Sequence, residues 1–252
     1  MSSPKISATI ITFNEEKNIR QCLESVKWVY EIIVVDSFSN DRTAAIAKEY
    51  TEKVIQREWP GYVKQKQFAL EQATGDWILC LDADESLSPE ASEEIKNRVL
   101  DGSTSADGFM FPRLSFYLGR WIKHGGWYPD RKLRLVRKGK ARWGGEDPHD
   151  KLILNGEAER LQGKILHYVY SNISKQLKTV DSFSTVSAQQ WHSQGKRFNL
   201  FLMLVKPPIR FLERYLWKRG FLDGMAGFVI AVISSYYVFL KYCKLWELKN
   251  IK

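Results

Sequence analysis

The chain has 252 residues, 44% hydrophobic and 27% charged, an ordinary globular composition with length for one large domain or one domain with an appendage. Its formal net charge of +9 suits nucleic acid, anionic lipid or phosphorylated substrates without choosing among them. Three distant cysteines, Cys22, Cys80 and Cys243, with no CxxC pair, argue against a disulfide framework or zinc site and fit a reducing, cytoplasmic setting.

Residues 5–13 are a β-branched run that reads as a strand rather than a signal peptide. Asn14 then caps a helix in which Ile19, Cys22, Leu23 and Val26 recur at i, i+3, i+4 and i+7. The apolar run EIIVVD at 31–36 predicts a strand buried on both faces. A helix over 40–50, a strand over 53–57 and a helix over 61–73 follow, with Gly75 as stop signal. DWILCLD at 76–82 is the fourth strand, and 88–100 is a helix with Ser88 as cap and Pro89 at its first position. This alternation predicts an α/β, Rossmann-like parallel sheet with flanking helices and ligand at the carboxyl ends of the strands. From 108 to about 170 short strand-like runs sit among Gly, Trp and Pro loops, and 174–191 reads as a helix.

Asp82-Ala83-Asp84 directly follows the apolar WILCL. A buried strand delivers its last carboxylates to an exposed end, and hard oxygen ligands suit Mg²⁺ or Mn²⁺, which keep positions open for substrate phosphates. Asp-x-Asp alone also describes an ordinary acidic turn; its place after a hydrophobic strand in a βαβ context is what marks it. With ATIITFNEEKNI, IIVVDSFSNDRT, KQKQFALEQATGDWIL and LDADE in this order over residues 5–90, the chain resembles the family-2 glycosyltransferases. The resemblance implies a GT-A fold, a nucleotide-sugar donor (a UDP-sugar foremost), Mn²⁺ or Mg²⁺ on the Asp-x-Asp segment, and inversion at the sugar. Asp84 is then the principal metal anchor, with Asp82 beside it and nearer the donor.

The same resemblance sets the nucleotide base and ribose against Thr12, Phe13, Asn14 and Glu15, and against Asp36 and Ser39. Lys64 and Gln67 share a face of the third helix and are further donor-binding candidates, whereas Lys66 reads equally well as a solvated position. There is no GxGxxG or GxxxxGK[ST], so phosphate binding leans on metal and side chains.

Inverting transfer needs a base to take the acceptor proton. WGGEDPHDKL (143–152) offers two registers: Glu146-Asp147 resembles the family's Glu-Asp pair, and His149-Asp150 resembles the His-Glu segment of a subgroup acting on lipopolysaccharide core, with Asp for Glu. Asp150 and Asp147 are both candidates, and His149 is either a neighbour of the acceptor or a structural histidine. Residues 119–139 also resemble that subgroup, with Tyr128, Asp130, Arg131 and Arg134 as acceptor or loop residues; the alternating basic residues suit the wet face of a strand.

These features imply a catalytic domain over 1–197, with donor half 1–105 and acceptor half 106–197, and a helical, membrane-associated extension over 198–252. In that tail Pro207-Pro208 breaks a segment rich in Leu, Phe and basic residues, and uncharged 224–240 barely reaches spanning length, so interfacial helices are expected. The implied acceptor is a glycolipid or saccharide at the cytoplasmic face of an inner membrane. A polyprenyl-phosphate sugar transferase is the alternative, and a nucleotidyltransferase would also use paired carboxylates and metal. A nucleic-acid-binding protein would explain the charge, but no such motif is present, so no nucleic-acid partner is expected.

Overall fold

The computed structural model describes residues 3–101, 104–146 and 149–250, without the side chains of Glu146 and His149. The chain divides into two compact units, Met1–Arg113 with Asp130–Tyr168, and Leu114–Pro129 with Val169–Lys252.

The first unit begins β1 (Ile6–Thr12), α1 (Ile19–Val26), β2 (Glu31–Asp36), α2 (Thr43–Lys48), β3 (Val54–Gln56), α3 (Tyr62–Glu71), β4 (Trp77–Asp82), β5 (Glu85–Leu87) and α4 (Pro89–Ile95), the last continued by a π turn. Then come β6 (Gly108–Tyr117), β7 (Arg120–Ile122), β8 (Asp130–Arg137), β9 (Ala141–Glu146), β10 (His149–Leu154), β11 (Ala158–Arg160) and β12 (Ile165–Tyr170), with β7 and the last residues of β6 and β12 in the second unit. The main sheet runs β3-β2-β1-β4-β8-β6-β12-β5. Its first four strands are parallel, as the alternation predicts, and from β8 onward it continues antiparallel. The class is the expected one: an α/β sheet with flanking helices and a long C-terminal helix.

Both faces of the parallel strands are covered, which is why they read as unbroken apolar runs. One layer sets Ile6, Ala8 and Ile10 of β1 with Val34, Leu79 and Leu81 against α1 and α4. The other sets Ile11, Ile33, Val35 and Cys80 against Ala69 and Leu70 of α3 and against Trp143 and Leu152 of the β9–β10 hairpin. This second layer carries α3 and the hairpin to the carboxyl end of β4.

Three local expectations change. Asn14 does not cap α1; it takes a left-handed backbone, φ 53°, its side-chain oxygen accepts from Asn40 N (2.9 Å), and Asn18 occupies the cap position. Gly75 lies beyond the end of α3, and a Cβ there would meet Lys5 O and Ser7 Oγ at 2.8 Å, so close approach to β1 requires the glycine. Pro207 and Pro208 lie inside a helix of the second unit instead of breaking it.

That unit contains α5 (Ile173–Ser193), α6 (Leu200–Leu212) and α7 (Gly224–Asn250). Packing holds α6 together where the prolines withhold two N–H donors: Pro207 is buried and its carbonyl accepts from Ser235 Oγ of α7 at 2.7 Å. Buried Asp223 precedes α7 and accepts from His124 N at 2.7 Å, while Tyr117 of β6 hydrogen-bonds Gln176 of α5.

Glu31 ties the amino ends of β1 and β2 to the turn before β4. It accepts from Ser7 Oγ (2.6 Å), Thr74 N (2.9 Å) and Thr74 Oγ1 (3.0 Å), and pairs with Lys53. Burial opposes its charge, but these donors outweigh burial and hold the carboxyl down to about 2. A depressed carboxyl contributes stability above its unfolded value, lost as pH falls through the folded one. Glu31→Gln should therefore be less stable by about 2–3 kcal/mol at neutral pH, the gap closing from about pH 4 toward pH 2. Urea unfolding across that range checks this; a gap independent of pH would contradict it.

Candidate active site

β1, β2 and β4 end side by side, Thr12 opposite Asp36 and Ile11 opposite Asp82. Parallel strands with crossover helices leave a crevice at such ends. Thr12 is buried there and its Oγ1 has no hydrogen-bond partner among the described residues. Asp36 is fully buried; Ser39 donates to its carboxylate through both N and Oγ, which fixes the loop after β2. That loop is tied to the one after β1, since Asn14 N donates to Ser39 Oγ and Glu15 N to Thr43 Oγ1, each at 2.8 Å. Phe13 is half exposed beside them. The donor-side candidates of the two strand ends thus form one hydrogen-bonded rim.

The carboxylate of Asp82 is held by two buried cations. Lys66 Nζ lies 2.9 Å from Asp82 Oδ1, and Arg134 donates to Asp82 Oδ2 at 3.1 Å. Lys66 also donates to Asp150 Oδ2 at 2.9 Å, so one ammonium joins the end of β4 to β10. Arg134 donates to Glu85 at 2.8 Å, Glu85 accepts from Arg113 at 3.1 Å, and Arg113 continues to Asp130 at 2.7 Å. Burial disfavours the charge on Asp82, but Lys66 and then Arg134 more than offset this and hold its carboxyl well below the usual range. Burial likewise opposes the charge on Lys66, and Asp82 and Asp150 reverse that and raise it. The indole of Trp143 lies 4.8 Å from the Lys66 ammonium, and its buried N–H has no hydrogen-bond partner among the described residues.

Two sequence expectations are corrected here. Lys66 is 7% exposed, not a solvated helix position, and Arg134 is 4% exposed, not on a wet strand face. Each charge is buried because it has carboxylate partners. On the α3 face predicted to carry ligands, Lys64 is exposed, and Gln67 accepts from Trp143 N at 2.8 Å and donates to Glu71.

Asp84 lies two residues past Asp82, and its carboxylate comes 3.3 Å from His167 Nε2 of β12. The Asp84 carbonyl accepts from Tyr168 N at 2.9 Å, which fixes the chain beside His167. No motif singled out His167. An imidazole nitrogen and a carboxylate oxygen that converge are both ligands for a divalent ion. Among the described residues no three His, Cys, Asp or Glu gather as a metal cage. Two protein ligands nonetheless fit Mg²⁺ or Mn²⁺, which draw further oxygens from water and substrate phosphates. Asp82, the other expected ligand, faces Lys66 and Arg134, and among the described residues its buried Oδ1 accepts no hydrogen bond; Asp84 and His167 converge without a Lys or Arg among their ion pairs in the described residues.

Of the remaining candidates, Asp130 pairs with Arg113 and Lys132, and Arg131 donates to Leu161 O at 3.2 Å. Tyr128 is half-buried in the second unit. Asp147 lies outside the described residues, as does the side chain of His149.

The model of glycosyl transferase family 2 matches residues 7–153. The chain is 32% identical over 254 residues to the lipopolysaccharide core biosynthesis glycosyltransferase LpsC of Rhizobium meliloti, covering 98% of this chain and 94% of that one. It is 34% identical to an uncharacterized glycosyltransferase of Rickettsia typhi, covering 97% and 87%. Among solved structures, the mannosyltransferase PcManGT of Pyrobaculum calidifontis, in complex with GDP-Man and Mn²⁺, matches with TM-score 0.57 over 99% of this chain and 89% of that one; at 13% identity it speaks to the fold alone.

Proposed function

Because the chain belongs to glycosyl transferase family 2, we propose that it moves a sugar, with inversion, from a nucleotide diphosphate to a hydroxyl of a glycolipid or saccharide in lipopolysaccharide core or other cell-surface glycan assembly. The observation that carries the reading is the pair of carboxylates sharing Lys66: Asp82 ends the donor-side strand and Asp150 lies on the acceptor-half hairpin. Similarity to LpsC supports the glycan class, and membership of the family supports a nucleotide-sugar donor. A UDP-sugar is the donor we favour.

The base and ribose lie against the rim of Thr12, Phe13, Asn14, Glu15, Asp36 and Ser39. Unpartnered Thr12 Oγ1 is a ready hydrogen-bonding group for them. Asp82, fixed by Lys66 and Arg134, faces the donor sugar or ribose. Asp84 and His167 would hold Mg²⁺ or Mn²⁺, which would supply positive charge to offset that of the diphosphate. Asp150 accepts the proton of the acceptor hydroxyl as its oxygen bonds to the anomeric carbon; the bond to the diphosphate breaks and its electron pair leaves with the nucleotide. Asp147 is the other candidate base.

A base that only takes a proton matters to transfer and not to donor binding. Asp150→Asn should therefore lower kcat by about 10²–10⁴-fold with donor affinity unchanged, measured with UDP-sugars, Mn²⁺ and a core oligosaccharide acceptor. Full turnover in Asp150→Asn, with loss in Asp147→Asn, would move the base to Asp147.

We place the enzyme at the cytoplasmic face of the membrane, with residues 198–252 lying on lipid rather than crossing it. The region 220–250 is long and apolar enough to span, with mean hydropathy 1.6. One side of α7 is nevertheless buried, including Ile230, Ala231, Ile233 and Val238. Met225, Phe228, Val232, Tyr236 and Phe239 form an exposed stripe on another. Phe201, Leu204 and Leu212 form a stripe on α6. The contacts Pro207–Ser235 and Phe211–Phe228 make the helices antiparallel and set both stripes on one side of their contact line, the geometry of an interfacial face. Leu204→Lys with Val232→Lys should abolish flotation with anionic vesicles and leave donor binding intact; unchanged flotation would count against this face.

A further inference from the structure

The second unit gathers cations that sugar transfer leaves unused. It contains 15 Lys and Arg against 4 Asp and Glu, a net +11; the whole chain is +9, so the first unit is −2. Part of the excess lies where the end of α5 meets α6 and α7. Lys241 Nζ of α7 lies 3.9 Å from the ring centre of Trp191, and Lys196 Nζ, just past α5, lies 4.4 Å from the same ring. Lys206 of α6 stands 5.6 Å from the ring of Tyr242, which packs edge-on against Trp191 at 5.2 Å. Arg210 follows Lys206 by one turn of α6.

The unit's carboxylates are engaged elsewhere or exposed. Asp181 binds Lys244, Glu213 binds Arg210 and Lys218, Asp223 binds His124, and Glu247 is at the surface. Among the described residues, no carboxylate pairs with Lys196, Lys206 or Lys241. Burial, and then repulsion from Lys196, Lys206 and Arg210, push the Lys241 ammonium down to about 8. The aromatic faces relieve part of this, each contact being worth about 0.5–1 kcal/mol at an exposed site, but they carry no net charge. An anion would neutralise the group. Compact ammonium groups meeting from three segments suit the concentrated charge of a phosphate.

We propose that Lys196, Lys206 and Lys241, framed by Trp191 and Tyr242, form a phosphate-binding site of the helical unit. The phosphate belongs to a soluble phosphomonoester or to a lipid headgroup, and the two sources separate by experiment. The full-length chain is titrated with phenyl phosphate in a calorimeter, and is floated with phosphatidylcholine vesicles with and without phosphatidic acid. Lys206→Gln with Lys241→Gln is the test variant, and Lys206→Arg with Lys241→Arg keeps the charge. UDP binding and thermal unfolding report that each variant is intact.

A soluble source predicts saturable binding of phenyl phosphate, weakened about tenfold or more in the Gln variant and kept in the Arg variant. A lipid source predicts the same pattern for the phosphatidic-acid-dependent part of flotation alone. Either result supports the site. Absence of both kinds of binding in the native chain, or a Gln variant that binds like the native chain, overturns it.

Discussion

One buried ammonium organises the active site. Lys66 emerges from a helix packed on the parallel sheet, is 7% exposed, and contacts Asp82 at the end of β4 and Asp150 on the β9–β10 hairpin. A charge so removed from water needs partners, and losing either carboxylate would leave a desolvated imbalance. The requirement fixes the hairpin against α3, and the Gln67 bond to Trp143 N secures the same approach. Arg134 repeats the arrangement one layer over, between Asp82 and Glu85. Asp82 is thereby oriented from two sides before any ligand arrives, the preorganisation that electrostatic catalysis needs.

The same crowding sorts the two carboxylates of the Asp-x-Asp segment. Asp82 faces two cations, whereas Asp84 meets an imidazole and no Lys or Arg among its ion pairs in the described residues. Asp84 and His167 are therefore the ligands that a divalent ion would meet without a competing Lys or Arg. Charge is also divided at a larger scale: the unit holding these carboxylates is slightly acidic, and the helical unit carries the whole positive excess. The chain's positive potential is thus a property of the helices rather than of the catalytic sheet.

Much of the fold was legible because local pattern and tertiary role coincide. Runs such as EIIVVD and WILCL are apolar throughout because helices or a hairpin cover both faces, and Asp82-Ala83-Asp84 stands out because it ends such a run. Lys66 and Arg134 were illegible for a related reason. Each lies among other basic residues, in KQK and KLRLVRK, and only partners distant in sequence, at 82, 85 and 150, make its burial tolerable. His167 sits in an unremarkable strand, and its approach to Asp84 comes from β12 pairing with β5. The proline pair misled because propensity describes an isolated helix, while α6 is held by its packing on α7.

The central claim is that Asp84 and His167 present a divalent ion to the diphosphate of the donor. Electron paramagnetic resonance of Mn²⁺ with the native chain and UDP tests it without reference to turnover. The account predicts one site that tightens when UDP is added, with phosphorus coupling from the nucleotide and nitrogen coupling from an imidazole. Asp84→Asn should weaken the site strongly, and His167→Ala should remove the nitrogen coupling. Mn²⁺ binding that ignores UDP, or that keeps its strength and nitrogen coupling in both variants, would contradict it.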